Sequence, residues 1–148
     1  MDRNTIEKIL NFLEEKEGKE LPKKWFDSIK LLKLVQELEN HPDGIQYKQN
    51  ANLNLIGSTI KKLPDNLYVG NNLGLMDCPR LKKLPDNLYV GYHLYLTNSN
   101  ITELPNNLYV GGNLFINMTP LADKYTDEEI KNIVTSTGGI IVGRIFRL

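Results

Sequence analysis

The chain of 148 residues holds one cysteine, Cys78, and two histidines, His41 and His93. A lone thiol excludes an internal disulfide framework and fits a reducing compartment. Neither histidine has a second one at i+3 or i+4, and no cysteine or paired carboxylate completes zinc-like spacing, so no metal site is expected. Long hydrophobic runs are also missing: nothing approaches the ~18 apolar residues needed to cross a bilayer. The start, Met1-Asp2-Arg3-Asn4, is polar and lacks an apolar signal core, so a cytoplasmic setting is expected. Excess charge is absent, because 18 Lys and Arg balance 18 Asp and Glu, and no global field draws in nucleic acid or an anionic membrane. Gly138–Gly143 followed by Arg144 copies a phosphate loop only superficially. The Lys-Ser/Thr pair and the following helix are missing, so no cofactor is expected. No set of acids and bases is recognisable, so the sequence predicts no enzyme. The sequons at Asn100 and Asn117 read as chance in an Asn- and Thr-rich chain.

What is present is repetition. Leu-Pro-Asp-Asn-Leu-Tyr-Val occurs at Leu63–Val69 and at Leu84–Val90, and returns as Leu-Pro-Asn-Asn-Leu-Tyr-Val at Leu104–Val110. The starts lie 21 and 20 residues apart, the period of a coil-stacking solenoid. A unit that short cannot bury its apolar side chains alone and shares a core with its neighbours. After each phrase comes a corner (Gly70-Asn71-Asn72, Gly91-Tyr92-His93, Gly111-Gly112-Asn113) and then an apolar-x-apolar triplet. The triplets are Leu53-Asn54-Leu55, Leu73-Gly74-Leu75, Leu94-Tyr95-Leu96 and Leu114-Phe115-Ile116. Period-two alternation predicts short strands with Leu67, Val69, Leu73 and Leu75 inward and Tyr68 and Gly74 outward. The corner glycines are expected to supply backbone freedom. The prolines, which cannot donate to a ladder, belong at bends. Pro42–Tyr47 aligns with Pro64–Val69 as a faded earlier turn, which brings the count to four or five coils.

The ends differ. Asn4 and Glu7 suggest a capping box, Ile6, Ile9, Leu10 and Leu13 a helical stripe, and Gly18 its stop. A second helix is predicted from about Lys23 to Glu39. Its Trp25, Ile29, Leu32 and Val35 form one apolar stripe, and Leu31, Leu34 and Leu38 an adjacent one. Thr126-Asp127-Glu128-Glu129 reads as a capping box ahead of Ile130, Ile133 and Val134, and Ile140–Leu148 as a final strand. One domain, 1–148, is expected: a helical N-terminal cap (1–40), a repeat solenoid (41–122) and a C-terminal cap (123–148). Repeat arrays need such caps because a bare terminal coil exposes core and an unpaired edge.

The stretch L-x-L-x-x-C-x-x-L at Leu73–Leu81, followed by Leu84-Pro85, resembles the leucine-rich-repeat pattern. Similar stretches run from Leu53, Leu94 and Leu114, with Ser58, Ser99 and Thr119 at the position of Cys78. The short period and the Leu-Pro phrase are similar to the bacterial and bacteriophage short-repeat branch of that family, over roughly residues 42–121. The extra Leu-Tyr-Val strand makes each coil two-sided, nearer a flat β-solenoid than a horseshoe. The fold class expected is therefore α+β: a leucine-rich-repeat-like β-solenoid of four to five coils between an N-terminal helical hairpin and a C-terminal helix-strand cap. The resemblance implies a protein-binding scaffold, with inhibition of a host protein a natural task if the chain is phage-borne, and it transfers no catalytic residue.

Candidate sites follow from the register. Cys78 is expected to face the coil interior and bond to backbone. Tyr68, Tyr89 and Tyr109 should stack in a column, and Lys61-Lys62 with Lys82-Lys83 and Arg80 should form a basic ridge. Column and ridge together make nucleic-acid binding the alternative function. The leading function is a non-enzymatic module that binds another protein. Stacking requires identical residues, so binding should lie where outward positions vary between coils. That criterion selects Tyr92, His93, Tyr95 and Phe115 as an exposed aromatic cluster with Asn98 and Asn117 at its rim.

Overall fold

A computed structural model describes Lys8, Asn11, Phe12 and residues 23–147, with backbone alone for 23–26. The expected capping box at Asn4 and Glu7, the stripe from Ile6 to Leu13, the stop at Gly18 and the side chain of Trp25 lie outside that description. Helix α1 spans Lys23–Glu39, the range its apolar spacing predicts.

Each repeat then makes one turn of a parallel β-solenoid by two left-handed bends. The first falls on the second asparagine of Leu-Pro-Asp/Asn-Asn: Asn66, Asn87 and Asn107 have φ of 62°, 61° and 57°. Asparagine tolerates that region better than other residues with a Cβ, which explains its recurrence there. Their amides also form a ladder, Asn87 Nδ2 donating to Asn66 Oδ1 at 2.8 Å and Asn107 Nδ2 to Asn87 Oδ1 at 3.0 Å. The second bend falls at Gly57, Asp77, Asn98 and Met118, all with positive φ. Between the bends, the chain forms two strands of two residues separated by the corner. The pairs are β1 (Lys48–Gln49) and β2 (Leu53–Asn54), β3 (Tyr68–Val69) and β4 (Leu73–Gly74), β5 (Tyr89–Val90) and β6 (Leu94–Tyr95), and β7 (Tyr109–Val110) and β8 (Leu114–Phe115).

The corner glycines act by proximity, and not by the conformational freedom the sequence suggests. Gly70, Gly91 and Gly111 all have ordinary negative φ. A Cβ on Gly91 would lie 2.8 Å from the Gly70 carbonyl carbon, and one on Gly70 would lie 2.8 Å from the Asn50 oxygen. Successive coils approach too closely there for any side chain.

Past β8 the repeat is interrupted. Thr119 accepts a hydrogen bond from Ala122 N at 3.1 Å and so caps α2 (Pro120–Lys124). Helix α3 (Asp127–Ser136) starts with the capping box read from Thr126 and Glu129. The final segment differs from expectation: it forms two strands, β9 (Ile140–Ile141) and β10 (Ile145–Phe146), separated by a corner at Gly143. Strand β9 pairs with β7 and β10 with β8, so two parallel five-stranded sheets result, β1-β3-β5-β7-β9 and β2-β4-β6-β8-β10. Arg147 ties this tail to the helices, with Nε on Asp127 Oδ1 and the guanidinium ends on the Ala122 and Tyr125 carbonyls, all at 2.7 Å.

The repeated body makes about three turns, where the sequence count gave four to five. The faded turn at Pro42–Tyr47 departs from the expected alignment with Pro64–Val69. Strand β1 pairs Lys48 with Tyr68, so Tyr47 and not Ile45 lies opposite Leu67, and Ile45 is 54% exposed. That segment lacks the full phrase, and its left-handed residue, Gly44, lies two residues further from its strand than Asn66 lies from β3.

The core is one continuous cluster inside the coils. Leu53, Leu73, Leu94 and Leu114 stack in register, as do Val69, Val90 and Val110, and all are buried. Val35 and Leu38 of α1 join the cluster at one end, and Ile130 and Val134 of α3 and Ile141 of β9 at the other. Among the described residues no helix is long and apolar enough to cross a membrane.

Candidate functional site

The second sheet places one outward residue per coil in register: Asn54, Gly74, Tyr95 and Phe115, with Phe146 from the tail beyond them. Strand spacing of about 4.8 Å brings flat rings in such a column face to face. Tyr95 and Phe115 stack with centroids 4.7 Å apart and planes 16° apart, and Phe115 and Phe146 at 5.0 Å and 12°. His93, at the adjoining corner, meets both Tyr95 and Phe115 edge-on at 5.8 and 5.7 Å. The Tyr92 ring lies beside His93 at 3.9 Å. The four aromatic residues singled out in the sequence thus come together on neighbouring coils.

Two features of that group differ from expectation. Only Tyr92 is truly exposed, at 50%, while His93, Tyr95 and Phe115 are half-buried because the stack covers their faces. The group therefore offers ring edges and one exposed phenol ring, that of Tyr92. The asparagines expected at the rim are engaged with neighbouring coils. Asn98 Nδ2 donates to Asp77 Oδ1 at 2.7 Å, and Asn117 Oδ1 accepts from Thr97 Oγ1 at 2.7 Å. Asn98 also makes the second left-handed bend, so its first task is the turn. Gly74 is buried, since Asn54 Oδ1 and Ile56 Cγ1 would each lie 3.3 Å from a Cβ there.

His93 has a second task that residue spacing alone does not reveal. Asn52, Asn72, His93 and Asn113 occupy one corner column, and each side chain accepts from the backbone N–H of the next coil. His93 Nδ1 accepts from Asn113 N at 3.0 Å, which places the ring proton of neutral His93 on Nε2. The histidine stands in for asparagine and adds a ring. Phe146 was also missed, though a signal existed: Gly143-Arg144-Ile145-Phe146 repeats the pattern of Gly112-Asn113-Leu114-Phe115. The helices inserted between them hid the period.

The remaining candidates fall elsewhere. Cys78 is buried as expected, its thiol donating to the Leu55 carbonyl at 3.0 Å. Tyr68, Tyr89 and Tyr109 stack on the first sheet at 4.6 Å with planes within 7°. Their inner faces are thereby occupied, and the Lys48 ammonium lies 5.1 Å from the Tyr68 ring centre. Partial burial, then the neighbouring phenols of Tyr109 and Tyr68, hold the Tyr89 hydroxyl above its ordinary range. The basic ridge forms a separate groove of about 400 Å³ lined by Lys61, Lys62, Arg80, Lys82 and Lys83. Among the described residues no three of His, Cys, Asp and Glu lie close enough to hold a metal ion. Compared with protein families, with curated proteins and with solved structures, the chain has no match.

Proposed function

We propose that the protein is a non-enzymatic interaction module that binds another protein through the aromatic face of its second sheet. One observation carries the reading: Tyr92, His93, Tyr95, Phe115 and Phe146 form a continuous ring cluster on three stacked coils. Rings fixed by stacking on a sheet lose little conformational freedom on binding, and aromatic anchors dominate protein interfaces. In the same reading the helical ends are caps, because α1 and α3 send side chains into opposite ends of the core. The leucine columns and the Ser58-Cys78-Ser99-Thr119 column support kinship with short bacterial leucine-rich repeats. The buried free thiol supports a reducing cytoplasm. A task as inhibitor of a host protein belongs to that kinship.

The rival reading, a nucleic-acid binder, is disfavoured by the tyrosine column. Its rings already stack on one another at 4.6 Å, which leaves no slot between them for a base.

The test is affinity purification from native host cells, with mass spectrometry of what co-elutes, followed by titration of the recovered partner. Tyr92→Ser should weaken binding by about 2 kcal/mol with an unchanged unfolding midpoint. Phe115→Ala should weaken it at least as much, and should also lower the midpoint because its ring is part of the stack. A partner that binds both variants as tightly as the wild type would discard the aromatic face.

A further inference from the structure

The groove formed by the basic ridge is a second surface, and none of its lining residues belongs to the aromatic face. Lys61, Lys62, Arg80, Lys82 and Lys83 line it, with Asp65 as its one acidic residue and Leu63, Leu84 and Pro85 beneath. The chain as a whole is neutral, so this is a local concentration of charge. Little of it is compensated: among the described residues, one ion pair reaches the groove, between Lys62 Nζ and Asp43 Oδ1 at 3.5 Å. The lysine stems also add apolar wall to the leucines and proline.

The patch is bounded. On the next coil the positions of Lys82-Lys83 are taken by Thr102-Glu103, and the adjoining depression is lined by the two acids Asp86 and Glu103 with Lys83 as its one base. Beyond the other edge stands Asp43. A long polyanion would run from lysines into carboxylates within two coils. The lining also contains no aromatic ring on which a base could stack. What fits is short, negatively charged and partly apolar.

We propose that this groove binds a short extended acidic peptide segment of a partner protein. Its carboxylates would meet Lys61, Arg80, Lys82 and Lys83 at the rim of the groove, and the apolar side chains of the opposite face of the extended segment would lie over Leu63, Leu84 and Pro85. Neighbouring coils stand about 4.8 Å apart, and like-facing side chains of an extended peptide repeat at roughly 6.6 Å, so two carboxylates can each reach a different coil.

Fluorescence anisotropy of the full chain tests this with three labelled probes: a Glu-Leu-Glu-Leu-Glu peptide, a Lys-Leu-Lys-Leu-Lys peptide and a single-stranded poly-uridine of ten nucleotides. The acidic peptide should bind, the basic one should not, and raising salt from about 50 to 500 mM should weaken binding severalfold. Lys82→Glu with Lys83→Glu, both at exposed positions, should reduce affinity at least about tenfold. Tyr92→Ser should leave it unchanged, which separates this surface from the aromatic face. Equal binding of the acidic peptide by the charge-reversed variant, tighter binding of poly-uridine than of the acidic peptide, or no binding of the acidic peptide at millimolar concentration would each overturn the proposal. Circular dichroism and the unfolding midpoint confirm that the variants are folded. If the double variant is unfolded, Lys61→Gln with Lys82→Gln should give the same loss in smaller degree, and no loss there overturns the proposal equally.

Discussion

Asn66, Asn87 and Asn107 show how one residue type can set a backbone path. Each occupies left-handed φ, and each amide bonds to the next along the stack. The period of the phrase was legible in the sequence, but the two reasons for asparagine within it were not, because neither φ nor a cross-coil bond is written in spacing. The interior column teaches the same point. Ser58, Cys78, Ser99 and Thr119 share one place, and Thr119 uses it to start a helix, which its neighbour Pro120 makes sensible only in retrospect. At Tyr89 the stacked phenols predict a pH dependence. Burial, then Tyr109 and Tyr68, raise its folded-state value above the ordinary 10.0. A raised value means that the folded state holds the neutral phenol more firmly than the unfolded chain does. The stabilisation is therefore complete below the unfolded value and is lost as pH climbs from about 10 through the folded value. Urea midpoints measured from pH 8 to 11 should fall at the alkaline end, and Tyr89→Phe should flatten that fall. A wild-type midpoint that stays level across the range would remove the phenol ladder from the account.

At the scale of elements, strands of two residues would have no stability alone, and the register supplies what length does not. Leu94 is enclosed by Leu73 and Leu114 in line with it, and is fully buried. Its inward direction was legible from the period-two triplet Leu94-Tyr95-Leu96, as was the helix Lys23–Glu39 from its apolar stripes. The C-terminal strands were less legible because α2 and α3 interrupt the period, so that Ile140–Leu148 reads as one run although a corner at Gly143 divides it. That four aromatic residues of the candidate site meet on neighbouring coils was legible from the repeat register; how little of three of them is exposed was not. Tyr95 and Phe115 stand at a position that varies between coils, but residues in register on adjacent parallel strands stack, and stacking hides their faces. Leu94→Ala should cost about 2–5 kcal/mol in chemical denaturation, since neighbours fixed by the sheets above and below cannot collapse into the space. A loss under about 0.5 kcal/mol would contradict the packing of these columns.

For the whole molecule, a solenoid has a continuous core and two ends, and its stability depends on what closes them. Sequence alone marks the ends as places where repetition stops. It does not say how they are joined to the stack. At the first end, α1 reaches the core through Val35 and Leu38, with Leu31 and Leu34 packed against it, and Glu39 Oε1 accepts from Lys61 N at 2.7 Å. Strands β1 and β2 form the outermost pair there, each with one neighbour in its sheet. If α1 is a cap, dislodging it should uncover leucines and strand edges together, and both favour association with other chains. Leu38→Asp is the sharpest way to do so, because it puts an unpaired carboxylate into a site that is 1% exposed. The variant should lose more than about 3 kcal/mol of stability and elute from size-exclusion columns as concentration-dependent oligomers. Leu32→Asp, at a half-buried position of the same helix outside the core cluster, serves as the control for helix propensity and should lose less and stay at the wild-type elution volume. A Leu38→Asp chain that elutes and unfolds as the wild type does would make α1 an appendage. The open end of the stack would then be closed by something other than the helix.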